Sequence, residues 1–96
     1  MKQKVKSIPV SFVAYGYTFD LLKRNGAIAM YKQHREEIIS YEVHKVRTRR
    51  NRLNSAMAEE YLASKGEFGL YAWSYAERIF AERKYVELRR LPNGCF

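Results

Sequence analysis

Five cations fall within eight residues in the run KVRTRRNR, where Lys45, Arg47, Arg49, Arg50 and Arg52 stand with no acid among them. Such a run neutralises phosphates and releases their counterions, giving nucleic-acid affinity that falls with salt and carries no sequence information of its own. Arginine outnumbers lysine four to one there. Its planar fork grips phosphate at two points and stacks on bases, which suits RNA or single-stranded DNA. Lys2, Lys4 and Lys6 near the N-terminus are expected to add a mobile second contact. These two segments account for the whole net charge of +8, because the other Lys and Arg residues balance the ten Asp and Glu. Basic character this local is the pattern of a binding surface; the competing reading is a pair of solvated segments that merely oppose aggregation.

Other side chains invite chemistry less strongly. Asp20, Glu42 and Lys45 suggest a minimal nuclease, with His44 as base. Restriction-type nucleases, however, use a Glu-x-Lys triplet, and the spacing Glu42-Val-His-Lys45 turns the lysine to the opposite face of a strand. His44 has no orienting partner in the sequence, so a partly exposed structural histidine competes with a general base. Together with Tyr31 on the same polar sheet face, it would instead offer a stacking surface for bases. His34 with Glu37 is the nearest approach to a metal-ligand pair, but a solvated turn explains both. Two histidines ten residues apart and the single Cys95 fall short of a metal site. A nucleophile paired with a base, a phosphate-cradling glycine loop and a dinucleotide fingerprint are all missing. No catalytic residue, metal or cofactor is therefore expected. Tyr71, Trp73 and Tyr75 suit either a protein-binding hot spot or a core in which Trp73 is the largest plug.

Turn signals organise the elements that must position these groups. Asn25-Gly26 between apolar stretches marks a two-residue hairpin loop, with strands at about residues 17 to 24 and 27 to 33. That loop sets Leu21 opposite Met30 and Phe19 opposite Lys32. A four-residue turn at His34 to Glu37 then sets Gln33 opposite Ile38. Both turns put Phe19, Leu21, Ile28, Met30, Ile39, Tyr41 and Val43 on one face, and Asp20, Leu22, Arg24, Ala29, Tyr31, Ser40, Glu42 and His44 on the other. The third strand is expected to run to about Thr48 and to deliver the basic cluster into a loop at 49 to 54.

The second half reads as mainly helical over 55 to 91. Ser64-Lys-Gly-Glu67 and Ser74-Tyr-Ala-Glu77 both match the capping-box spacing. After the second, Ala76, Ile79, Phe80 and Arg83 form an inward stripe with Arg78 and Glu82 outside. Residues 54 to 66 allow a helix from an Asn54 cap. KYVELRRL, residues 84 to 91, is either a continuation of the helix or a late fourth strand. Residues 1 to 16 are a flexible arm or an edge strand, the latter favoured by Pro9.

At 96 residues the chain has room for one core, and 14 aromatic side chains with 47% apolar residues place it among folding sequences. A single α+β domain is expected: a three-stranded antiparallel β-meander at 17 to 48, with one or two helices across one face. The lone cysteine and the lack of a membrane-length apolar run or leader sequence fit a cytoplasmic protein. The run EYLASKGEFGLYAWSYAERIFAE resembles the C-terminal half of small uncharacterised proteins carried by phages and mobile elements, a likeness extending over roughly residues 17 to 83. It implies an origin but no activity. The leading expectation is a small, basic, non-enzymatic nucleic-acid-binding protein, its partner RNA or DNA. An accessory protein that binds or inhibits a host or virion protein is the alternative, and a minimal nuclease the third. Monomer and homodimer both remain open, because an exposed sheet edge can pair with a second copy.

Overall fold

The computed structural model describes residues 4–50, 53 and 57–90. In chain order these form β1 (Lys4–Lys6), β2 (Ser11–Ala14), β3 (Tyr17–Asn25), β4 (Ile28–Arg35), β5 (Ile38–Lys45), β6 (Arg47–Arg50) and β7 (Met57–Tyr61). A 3-10 turn (Lys65–Glu67), β8 (Ala72–Tyr75) and α1 (Arg78–Arg89) follow. The class is α+β, but the meander is embedded in a five-stranded sheet of order β2-β3-β4-β5-β8, and a second sheet has the order β1-β7-β6. Residues 11–14 take the edge-strand alternative. Tyr15 and Gly16 join them to β3 with φ of 56° and 80°, the paired positive values of a tight hairpin loop.

The register departs from the sequence reading at two turns and one bulge. Asn25 pairs with Ile28, so Gly26 and Ala27 form the first loop, and Arg35 pairs with Ile38, so the second loop is only Glu36 and Glu37. Each slip is of even parity, and Ile28, Met30, Tyr41 and Val43 keep the common face the sequence assigned them. The bulge at Leu22 changes the outcome. An extra residue there inverts β3 toward its start, so Leu21 pairs with Tyr31, Phe19 with Gln33 and Asp20 with Lys32. Phe19 and Leu21 therefore lie on the face opposite to Met30. Leu22 joins the Met30 face instead, and Lys23 reaches from it to Glu82 of α1.

Both faces of the large sheet consequently carry a core. Ile28, Met30 and Val43 pack under Ala81, Tyr85 and Leu88 of α1, with Trp73 and Tyr75 at their side. On the other face, Phe19, Ala29 and Tyr31 pack with Ile8 and Val46, flanked by Phe12 and Leu62. The face expected to be polar is thus a second interior.

The helical expectation for 55 to 91 is corrected over most of its length. MAEEY, despite its helix-favouring composition, is strand β7, because it fits between β1 and β6 and its acids meet cations there: Glu59 pairs with Arg49, and Glu60 with Arg24. The first capping box does form its reach-back half, Glu67 accepting from the Ser64 amide at 3.0 Å, yet it heads a single 3-10 turn. Ser74 lies in β8, and Glu77 stands at the N-terminal cap position of α1. The buried stripe of α1 is Ala81, Tyr85 and Leu88, leaving Ile79 and Phe80 at 55% and 45% exposure. Residues 84 to 89 continue the helix; the late strand is β8, antiparallel to β5. No helix among the described residues is long and apolar enough to cross a membrane.

Candidate nucleic-acid interface

The basic segment acquires its shape from one buried residue. Val46 is buried, and its amide donates to the Ala27 carbonyl at 2.6 Å, so β5 ends there and the chain restarts as β6 in the small sheet. The expected loop at 49 to 54 is therefore replaced, through Arg50, by a strand paired with β7. Strand alternation puts Arg47 and Arg49 on one face and Arg50 on the other. Tyr61 lies directly across from Arg47, and Glu59 lies between Arg49 on one side and Lys6 on the other. Lys6 of the first basic segment and Arg47 and Arg49 of the second thus share one sheet face.

Rings from β7, from β8 and from the residue before β8 interleave with those cations. Lys84 lies 4.2 Å from the ring centroid of Trp73, and Lys45 lies 5.4 Å from the same ring and 6.0 Å from Tyr71. Arg47 lies 3.9 Å from Tyr71 and 4.7 Å from Tyr61, and Arg49 lies 4.6 Å from Tyr61. The order is cation, ring, cation, ring, from Lys84 to Arg49. The Lys45 amide, bonded to the Tyr71 carbonyl at 2.9 Å, fixes the spacing where the two sheets meet. Each cation–ring contact contributes about 0.5–1 kcal/mol at an exposed site. Their larger effect is to hold long side chains in place before any ligand arrives.

Two acids temper this row. Glu67 accepts from Arg47 at 2.6 Å and Glu59 from Arg49 at 2.9 Å. The Arg47 hydrogen bond, together with the Ser64 amide, holds the Glu67 carboxyl down at about 2, and Glu67 in turn raises the Arg47 guanidinium. Arg47 Nε is buried without a hydrogen-bond partner among the described residues, and the side chain is held by its rings and by the bond from Nη2 to Glu67.

The other residues singled out from sequence fall elsewhere. Arg50 is exposed on the reverse face of β6. Lys4 and Lys6 belong to β1, a strand rather than a mobile arm, and Lys6 is exposed. Arg52 and Lys2 lie outside the described residues. Tyr31 is fully buried, its hydroxyl donating to the Pro9 carbonyl at 2.6 Å, and burial pushes its phenol up to about 12. It offers no stacking surface. His44 is also buried, at 3% exposure. Its Nδ1 accepts from the Ala63 amide at 3.3 Å, so the ring proton sits on Nε2 and is donated to Glu42 Oε1 at 2.8 Å. Both ring nitrogens are thus engaged within the protein. Both residues are removed from the interface because the face they share is the second core.

The acids considered for a nuclease are separated by the same bulge: Glu42 lies on the Tyr31 face and Asp20 on the other. Asp20 accepts from Ser11 at 2.9 Å and meets His34 at 2.8 Å, bonds that lower its carboxyl, with His34 the larger cause. His34 therefore partners Asp20 rather than Glu37. The described residues hold no cluster of three or more groups suited to a metal ion.

Tyr61 and Glu59 are the participants that sequence reasoning misses, whereas it gives Glu67, Tyr71 and Trp73 other roles. The available signal was the alternation Lys45-x-Arg47-x-Arg49, which as a strand demands neighbours on one face. No family model, no curated protein and no solved structure matches the chain.

Proposed function

We propose that this chain binds single-stranded nucleic acid through the row formed by Lys45, Arg47 and Arg49 with Tyr61, Tyr71 and Trp73, joined by Lys6 at the edge of the small sheet. The carrying observation is the alternation of cations and rings, Arg47 held 3.9 Å from Tyr71 and Arg49 held 4.6 Å from Tyr61. Guanidinium planes seated on rings present donors to phosphate and flat surfaces to unpaired bases with little ordering left to do. The paired acids keep contact moderate and reversible, since each phosphate must compete with a carboxylate. Fluorescence anisotropy of labelled single-stranded RNA, single-stranded DNA and duplex DNA, at low and near-physiological salt, tests the reading. Binding to single strands that weakens in Arg47→Ala/Arg49→Ala supports it; equal binding by that variant overturns it.

A protein partner is the second reading, favoured by Ile79 and Phe80 on the outward side of α1, where large apolar groups stand exposed. Changing both to Asp would abolish such an association without altering the nucleic-acid titration.

A further inference from the structure

The second core is not filled. Between the large sheet and the segment 62–68 lies a cavity of about 360 Å³, within the range of small-ligand sites. Five Phe and Tyr rings line it, those of Phe12, Tyr15, Tyr17, Phe19 and Phe68, and Phe12 and Phe19 are already stacked at 4.7 Å with 4° between their planes. None of the cation-and-ring row lines it, so the cavity is a separate site.

Its polar groups are few and specific. Glu42 lines the cavity with its side chain 12% exposed, and only Oε1 is engaged, by His44 Nε2. Oε2 has no protein donor among the described residues. Oε2 is not among the fully buried unpaired atoms, so it opens into the cavity, where the N–H groups of a ligand can reach it; His44 has no further proton to give it. Gln33 also lines the cavity; its Oε1 accepts from Ser40 at 3.0 Å, which leaves the side-chain NH₂ as a donor. Gln33 pairs with Ser40 and Glu42 lies two residues on along β5, so the two are diagonal neighbours on one face. At the mouth, Lys65 sits 4.1 Å from the ring centroid of Tyr15.

We infer that this cavity binds a guanine base. A flat heteroaromatic ring suits the aromatic walls, and guanine's pairing edge carries two adjacent N–H donors for Glu42 beside a carbonyl acceptor for Gln33. Adenine presents an acceptor where the carboxylate needs a donor. An alkylated cation also suits rings and a carboxylate, but Lys65 at the mouth favours a ligand whose flat ring carries an anionic group beside it. Lys65 is placed to meet the phosphate of a guanine nucleotide, whether free or within a strand.

Calorimetric titration of the full chain with GMP, AMP and agmatine tests this. GMP should bind, with AMP weaker by at least about tenfold, and Glu42→Gln should lose at least about tenfold in GMP affinity while melting as a folded protein. Arg47→Ala/Arg49→Ala should keep GMP binding, so that failure of the basic row and failure of the cavity are read separately. A tetranucleotide UUGU binding more tightly than GMP assigns the base to a strand; the reverse assigns it to a free nucleotide. Absence of GMP binding at millimolar concentration, equal affinity for AMP, preference for agmatine, or an unaffected Glu42→Gln overturns the proposal. Should Glu42→Gln not fold, the GMP-to-AMP ratio of the unaltered chain decides alone.

Discussion

Arg47 lies over the Tyr71 ring, 3.9 Å from its centroid, while donating to Glu67 at 2.6 Å, so one guanidinium is held by a ring face and a carboxylate together. Arg47→Ala/Arg49→Ala should weaken single-strand binding and reduce the slope of log affinity against log salt by about 1.4, at about 0.7 for each phosphate no longer neutralised. Anisotropy titrations at several salt concentrations give the slope directly.

Glu67 supplies a pH signature. Its carboxyl is held at about 2 against an ordinary 4.5 by Arg47 and the Ser64 amide. The folded state thus binds fewer protons than the unfolded one, and the resulting stabilisation is complete above about pH 4.5 and lost as pH falls toward 2. Melting curves of Glu67→Gln should lie below those of the unaltered chain at pH 7 and converge with them near pH 2. At pH 7 the same variant should bind single strands more tightly, because Arg47 no longer has an acid beside it.

Tyr31 acts at the other end of the scale. Burial raises its phenol from 10.0 to about 12, so the folded state holds its proton longer, and the contribution present below pH 10 is lost as pH rises through 12. Tyr31→Phe should remove that alkaline loss. It should also cost about 1–2 kcal/mol at neutral pH, since the Pro9 carbonyl loses its donor. Nucleic-acid affinity should not change, in contrast to the stacking role its sequence position suggested.

The face of α1 that carries the core can be tested by a pair of truncations. Leu88→Ala empties a buried site and should cost about 2–5 kcal/mol in urea unfolding. Ile79→Ala, at 55% exposure, should change stability by no more than about 0.5 kcal/mol. The opposite ranking would restore the stripe of Ala76, Ile79, Phe80 and Arg83.

What the sequence disclosed depended on range. Alternation and turn residues located β3, β4 and β5 to within a few residues, and the faces of Met30 and Val43 followed because both loop errors were even. The bulge at Leu22 has no residue signature in LLKRN, and it alone misassigned Phe19, Leu21 and Asp20. MAEEY reads as helix by composition, and only its two strand neighbours, distant in sequence, make it β7. The basic cluster was legible as charge. Its alignment with Tyr61, Tyr71 and Trp73 was not, because it depends on the break at Val46 and on the pairing of β5 with β8.

The parallel pairing of β1 with β7 bears on the order of assembly. Val5 pairs with Ala58, and the Ile8 amide donates to Glu60, 52 residues away in sequence. During synthesis β1 therefore has no native strand neighbour until β7 has left the ribosome as well. The β2–β5 meander can close over short separations first, whereas the three-stranded sheet bears a long loop-closure entropy and docks late. Refolding followed by hydrogen exchange should thus protect amides of β3 and β4 before those of β1, and the basic surface matures only in that last step.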